Sequence, residues 1–241
     1  MSRRVFIGHK RTDHYKGLVI RADLGLHEQI SAQLGRYLPG GGRVLDLGAG
    51  QGALSMRLTD LGYLVTAADM DSDDFKVADK VDFERINFDS DDDVERFAER
   101  HHEQFDAVCG VEVIEHLEDQ WRYIRSLKRM LRPGGVMVVT TPNITSWLSR
   151  LIFLLKGRFH QFADEDLSYG HIAPITPFEL RLILEREGME QLEMVPAGTL
   201  PPLYLSGLRM ALLSFVALLF RPFQSGMLDG WCLLAVARKK K

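Results

Sequence analysis

Cysteine is scarce, and that scarcity sets the first bound. Cys109 and Cys232 are the only two in 241 residues, and both lie inside apolar, strand-like runs. They offer no disulfide framework and read as buried thiols of a reduced, cytoplasmic protein. The N-terminus, Met1-Ser-Arg-Arg-Val5, lacks the apolar core expected of a secretion signal. Long hydrophobic runs are missing too. The least interrupted one, Met210 to Phe220, has 11 residues, against the roughly 20 that span a bilayer. Nor is there a charge excess: the formal net charge is −3, so no global field draws nucleic acid. The basic cluster Arg238-Lys-Lys-Lys241 reads as a solvated terminus. What is present, 46% apolar and 26% charged residues, suffices for the core of a single globular domain over residues 1–241.

The most informative stretch is Val44-Leu-Asp-Leu-Gly-Ala-Gly-Gln-Gly52. Val44, Leu45 and Leu47 make a buried strand. Gly48, Gly50 and Gly52 then permit a tight turn that presses against a ligand where a Cβ would clash. Ala53 to Thr59 opens a helix, so free N–H groups face an anionic or carboxylate-bearing ligand. Gly48-x-Gly50-x-x-Ala53 with Asp69 downstream also satisfies the loose dinucleotide pattern, which leaves an NAD-dependent oxidoreductase open. Asp46 argues against that reading, because it stands in the strand end where a nicotinamide site carries apolar residues.

Elsewhere the chain alternates strand and helix. Leu26 to Leu38 reads as a helix stopped by Pro39-Gly-Gly-Gly42. Strands follow at Leu64–Ala68, closed by Asp69, at Phe83–Phe88, and at Phe105–Val111, with a polar helix over Asp91–His102. The acidic run Asp71 to Asp74 reads as a solvated turn. An amphipathic helix over Asp119–Leu131 is broken by Arg132-Pro-Gly-Gly135 before the strand Val136–Thr141. A helix over Thr176–Gly188 carries a Thr176/Glu179 capping box. Glu190–Val195 and Trp231–Ala237 then read as two strands with no helix repeat between them. The alternation implies an α/β, doubly wound, mostly parallel sheet with its ligands at the carboxyl ends of the strands.

Asp46-Leu-Gly48-Ala49-Gly50-Gln-Gly52 has the form DxGxGxG, and with the Pro-Gly-Gly before the fifth strand it resembles class I S-adenosylmethionine-dependent methyltransferases. The resemblance runs from about Leu26 to Arg238. It implies a Rossmann-like seven-strand sheet with a reversed terminal strand, and S-adenosylmethionine as cofactor. Gly48, Ala49, Gly50 and Gly52 would lie along its methionyl and ribose portion. Asp46 would accept from the ammonium or fix the loop through backbone N–H groups. Asp69 would take both ribose hydroxyls, since a carboxylate offers two acceptors. Met70 would cover the adenine, and Val111, which ends the fourth strand, belongs to the same set. Asp89 resembles the residue that accepts the exocyclic adenine N–H; capping the next helix is the other reading.

Glu112-Val-Ile-Glu115-His116 follows the fourth strand, and its spacing puts two carboxylates and an imidazole on one side of a turn. With the distant His171 it resembles the metal site of small-RNA 2′-O-methyltransferases. It also resembles the ubiquinone-biosynthesis O-methyltransferases, which share a Thr-Pro-Asn-like strand exit seen here at Thr141-Pro-Asn143. Two readings stay open. Glu112, Glu115, His116 and His171 hold a divalent ion such as Mg²⁺, or His116, with Glu115 beside it, is a general base.

Residues 1–25 are expected to form an N-terminal arm over the active-site face, and residues 144–172 an insert on the acceptor side. Residues 197–229 would be a long apolar insertion before the last strand. Trp147 to Leu155 and Leu203 to Phe223, flanked by Arg150, Lys156, Arg158, Arg209 and Arg221, suggest a surface that rests on the inner face of a membrane; a lid or dimer face is the alternative. The expected activity is O-methylation of a lipophilic or lipid-linked small molecule, a polyprenyl catechol or a saccharide intermediate. An RNA acceptor is disfavoured by the acidic balance, and a cofactor-binding protein without turnover is the non-enzymatic alternative.

Overall fold

The computed structural model describes residues 5–7 and 12–241. In chain order its strands and helices are β1 (Val5–Ile7), β2 (Asp13–Tyr15), β3 (Leu18–Ile20), α1 (Leu26–Tyr37), β4 (Arg43–Leu47), α2 (Ala53–Asp60), β5 (Leu64–Asp69), β6 (Asp82–Arg85), α3 (Asp91–Arg100), β7 (Phe105–Val111), α4 (Gln120–Met130), β8 (Leu131–Pro142), α5 (Trp147–Lys156), α6 (Pro177–Arg186), β9 (Met189–Ala197), β10 (Leu203–Leu205), α7 (Leu208–Phe220) and β11 (Cys232–Lys239). Seven strands form one sheet in the order β6-β5-β4-β7-β8-β11-β9. The pairs from β6 to β8 are parallel. β11 runs antiparallel to both β8 and β9 and so supplies the reversed strand.

Alternation along the strands builds two cores. Val44, Val65, Cys109 and Val138 point to one face and pack with Leu26, Ile30 and Leu34 of α1 and Leu54 and Leu58 of α2. Leu45, Leu47, Val108 and Met137 point to the other, against Phe97 of α3, Ile124 and Leu127 of α4, and Leu180 and Ile183 of α6. Because helices cover both faces, the central strands carry buried apolar residues on both sides. Both cysteines are buried free thiols. The Thr176/Glu179 capping box is present, with Pro177 at the first helical position.

Three local expectations need correction. Arg132 to Gly135 does not stand outside the fifth strand: β8 begins at Leu131, and its register slips so that Phe105 pairs with Leu131 and Ala107 with Val136. The extra residues bulge, held by Arg132 Nη1 donating to Asp106 Oδ1 at 2.9 Å. The third strand ends at Arg85 rather than Phe88. The arm is also more ordered than its composition suggests. β2 and β3 form an antiparallel hairpin, and β1 pairs in parallel with β10 of the apolar insertion; residues 1–4 and 8–11 of the arm lie outside the described residues.

The two inserts pack on each other as α5 and α7. Asn143, nearly fully buried, ties them to the sheet: its Nδ2 donates to the carbonyls of Met227 and Asp229, and its Oδ1 accepts from Thr145. Helix α7 is inverted relative to an ordinary surface helix. It buries its small residues Ser214 and Ala217 and leaves Leu208, Leu212, Phe215, Leu219 and Phe220 exposed, whereas an amphipathic helix buries its large apolar face. Phe153, Leu154 and Leu155 of α5 are exposed as well. Among the described residues no helix is long and apolar enough to cross a membrane.

Candidate active site

At the carboxyl end of β4 the chain turns through Gly48, Gly50 and Gly52 with φ of 75°, 51° and 87°, a region that disfavours a side chain. The three glycines differ in what surrounds them. A Cβ on Gly48 would stand 2.4 Å from Val113 Cγ2, and one on Gly52 2.5 Å from Val77 Cγ2, whereas nothing comes nearer than 4.0 Å at Gly50. The expectation that all three clear room for a ligand is therefore corrected. Gly48 and Gly52 make room for the protein's own side chains, and only Gly50 fronts open space.

Asp69, at the end of β5, accepts the Gly50 N–H at 2.8 Å and the Asp71 N–H at 3.1 Å. Each carboxylate oxygen keeps a lone pair for a further donor. Met70 follows it, exposed on the rim. Asp46 is 1% exposed and accepts from Ser55 Oγ at 2.5 Å, so it clamps the loop to α2 rather than lining open space. Burial raises its pKa to about 7, against the lowering effect of the Ser55 hydroxyl and N–H and with a smaller upward push from Asp69. Val111 is buried, with its carbonyl oxygen near Gly48. Asp89 is exposed, and its capping reading is corrected: Ser90 caps α3, its hydroxyl accepting from the Asp93 N–H.

The arm closes over this loop. Val19 N–H donates to Gln51 Oε1 at 2.9 Å, and Arg21 pairs with Asp74 at 2.9 Å. Asp74 is thus not simply part of a solvated acidic turn. Nothing in the local sequence around Arg21 announced this pairing, which requires the hairpin to fold back by tertiary contact.

The second cluster forms where β7 ends. Glu112 has φ +54°, a strained value for a residue with a side chain. Thr140 Oγ1 donates to its Oε1 at 2.9 Å and Cys232 Sγ to its Oε2 at 3.5 Å. Here the expected four-residue set is corrected. Donor atoms of Glu115, His116 and His171 all lie within 4.8 Å of one another, but Glu112 is turned toward Thr140 and Cys232 on the neighbouring strands. Glu115 is wholly buried, with no hydrogen-bond partner on either carboxylate oxygen. Its pKa is pushed well above the usual carboxylate range by burial first and by the charge of Glu112 second. Burial thus favours its protonated form. Its backbone carbonyl accepts the N–H groups of Ile172 and Ala173, which brings His171 over His116 with ring centres 4.9 Å apart. His171 Nδ1 donates to the Gln161 carbonyl at 2.8 Å, leaving Nε2 with the lone pair in the neutral ring.

This fold and this pair of neighbouring sites define a class of protein, and the comparisons agree. Residues 22–193 match the family model described as a methyltransferase domain. The chain belongs to that family: it is a class I S-adenosylmethionine-dependent methyltransferase. It is 31% identical over 188 residues to a ubiquinone biosynthesis O-methyltransferase of Dinoroseobacter shibae, a match that covers 68% of each chain. It is 38% identical over 126 residues to the enzyme of that name from Xanthomonas axonopodis pv. citri, where the match spans about half of each chain, 49%. Among solved structures, a SAM-dependent methyltransferase of Archaeoglobus fulgidus superposes with TM-score 0.57 at 18% identity, covering 88% of this chain and 94% of the other. The 1,6-didemethyltoxoflavin-N1-methyltransferase of Burkholderia thailandensis, solved with bound S-adenosylhomocysteine, gives 0.58 at 18% identity, covering 90% and 79%. At that identity these two speak to the fold alone.

Proposed function

We propose that the protein methylates a hydroxyl of a lipophilic or lipid-linked small molecule. The observation that carries this reading is the convergence of Glu115, His116 and His171 one strand away from the glycine loop. The O-methyltransferase relatives support it. So do the exposed apolar faces of α5 and α7, a patch of the kind that marks a lipid or partner surface.

Methyl transfer from a sulfonium is an in-line displacement. The acceptor oxygen forms a bond to the methyl carbon as the carbon–sulfur bond breaks, and the sulfonium leaves as a neutral thioether. The protein's main contribution is alignment, which in favourable geometry is worth on the order of 7–11 kcal/mol of barrier. Gly50 and Asp69 would hold the cofactor, with Met70 against its base. His116 takes the hydroxyl proton so that the attacking oxygen carries more negative charge, a contribution of about 10²–10⁴ in rate. A carboxylate oxygen of Glu115 lies within 4.8 Å of it.

A second reading has its own observation: two buried carboxylate oxygens without partners beside two imidazoles are an incomplete site that a divalent ion would satisfy. Glu115, His116 and His171 would hold it, and it would supply Lewis-acid lowering of the hydroxyl pKa. Two nitrogens and one carboxylate suit Zn²⁺, Mn²⁺ or Fe²⁺ better than Mg²⁺, which favours oxygen donors. The test is turnover after chelation and dialysis, then with each ion restored. Full activity in chelator with loss in His116→Ala selects the general base. Activity that returns with Mn²⁺ or Zn²⁺ but not in His171→Ala selects the ion.

The same proposal places the protein on the cytoplasmic face of a membrane, in contact through α5 and α7 without crossing.

A further inference from the structure

Between α5 and α7 lies a cavity of about 360 Å³, lined by Leu148, Ile152, Leu155, Met210 and Leu213 with Lys156, Arg209 and His160. Its volume falls within the roughly 300–1,000 Å³ of small-molecule pockets. No acidic residue lines it, and neither helix contains one. The basic residues around the inserts are not equivalent. Arg158 pairs with Asp164 and Arg221 with Asp229, and Arg150 donates to the carbonyls of Thr145 and Ser225. Lys156 and Arg209 have no ion-pair partner among the described residues; both are exposed and both line the cavity. Helix α7 also starts there at Gly207 without a side-chain cap, so unpaired N–H groups add to the positive end. His160 also belongs to the cavity wall, and the next residue, Gln161, holds His171 through its carbonyl. One step along the chain thus links the cavity wall to the hydrogen-bond partner of His171.

We propose that this cavity binds the single hydrocarbon chain of a lipid phosphate, with the phosphate on Lys156 and Arg209. The acceptor is then carried on an anionic lipid rather than being a neutral quinone-like molecule. An apolar trough alone would accept any chain. Two unpaired cations with no carboxylate in reach select one that ends in an anion, and charge-assisted hydrogen bonds to phosphate are the strong kind. This inference rests on the lipophilic-acceptor reading above and narrows it.

The test measures binding of monomeric dodecyl phosphate and dodecanol to the full chain by calorimetry. Dodecyl phosphate should bind at least about tenfold tighter than dodecanol. Lys156→Gln with Arg209→Gln should remove that preference, and Leu213→Trp, which fills the trough, should abolish binding of both. S-adenosylmethionine binding should be unchanged in all variants, which controls for folding. Equal affinity for phosphate and alcohol, or a preference that survives the double substitution, overturns the proposal. A parallel arm uses phosphatidylcholine vesicles with and without phosphatidylglycerol. Leu213→Trp should leave vesicle binding intact; loss of both together would show that the trough takes bilayer lipid instead of a carrier, and would overturn it too. Methylation of neutral lipophilic alcohols that persists after such a failure would leave the broader acceptor reading standing.

Discussion

Asp46 and His27 carry buried titratable groups with opposite consequences. Asp46 has its folded pKa raised to about 7 from an ordinary 3.8. Between those values the folded state keeps a proton that the unfolded chain has released, so stability falls as pH rises through the window and stays lower above it. Asp46→Asn should remove that slope and stabilise the cofactor-free protein at pH 8 by up to about 4 kcal/mol, three pKa units at 1.36 each. His27 is depressed to about 4, by burial first and then by Arg57. Its contribution is complete above the unfolded value of 6.5 and is lost as pH falls toward 4. Urea unfolding of the variant across pH 4 to 8 should therefore retain only the acid-side descent. A pH dependence identical to the wild type would show that folding does not shift the Asp46 pKa. At the cofactor loop, Asp69→Ala should weaken S-adenosylmethionine binding by about 2 kcal/mol through lost charge-assisted hydrogen bonds, measured by calorimetry. One residue assignment drawn from spacing went differently in three dimensions. Glu112 shares a turn with Glu115, but its left-handed φ sends its carboxylate to Thr140 and Cys232, partners 28 and 120 residues away that no local pattern connects.

At the scale of elements, the glycine turn shows where sequence reading succeeds and where it stops. The turn, its positive φ values and the following helix were all legible from DxGxGxG. Which glycine meets a ligand was not, because Val113, Val77 and Phe75 crowd two of them from distant segments. Gly48→Ala should cost at least about 2 kcal/mol in thermal or urea unfolding, since it adds a clash to a strained φ. Gly50→Ala, with open space around it, should cost about 1 kcal/mol for φ alone and show its larger effect on cofactor affinity. Equal stability losses at the two positions would contradict the distinction. The insert helices were legible as apolar runs, but their inverted packing was not, because it depends on which side meets the sheet. Replacing Leu212, Phe215 and Leu219 with serine should abolish vesicle flotation while leaving S-adenosylmethionine binding intact. Flotation that survives the triple substitution would remove α7 from any membrane surface.

For the whole molecule, strand and helix alternation was enough to read a doubly wound sheet, because buried parallel strands and amphipathic helices have distinct periods. The order of the last strands came from resemblance, and the hairpin of the arm came from neither, since short strands such as Asp13–Tyr15 form only when a partner and α2 are there to receive them. The result is a sheet whose carboxyl edge sets a cofactor loop beside Glu115, His116 and His171, with the arm closing over that loop. The central claim is that this cluster activates a hydroxyl for methylation. It is tested most directly by measuring transfer of labelled methyl from S-adenosylmethionine to a panel of lipophilic and lipid-linked hydroxyl compounds, by the wild type and by His116→Ala. The account predicts transfer to oxygen by the wild type, a fall of at least about 100-fold in the variant, and cofactor affinity unchanged within twofold. Undiminished transfer in His116→Ala, or methylation confined to nitrogen or carbon, would contradict it.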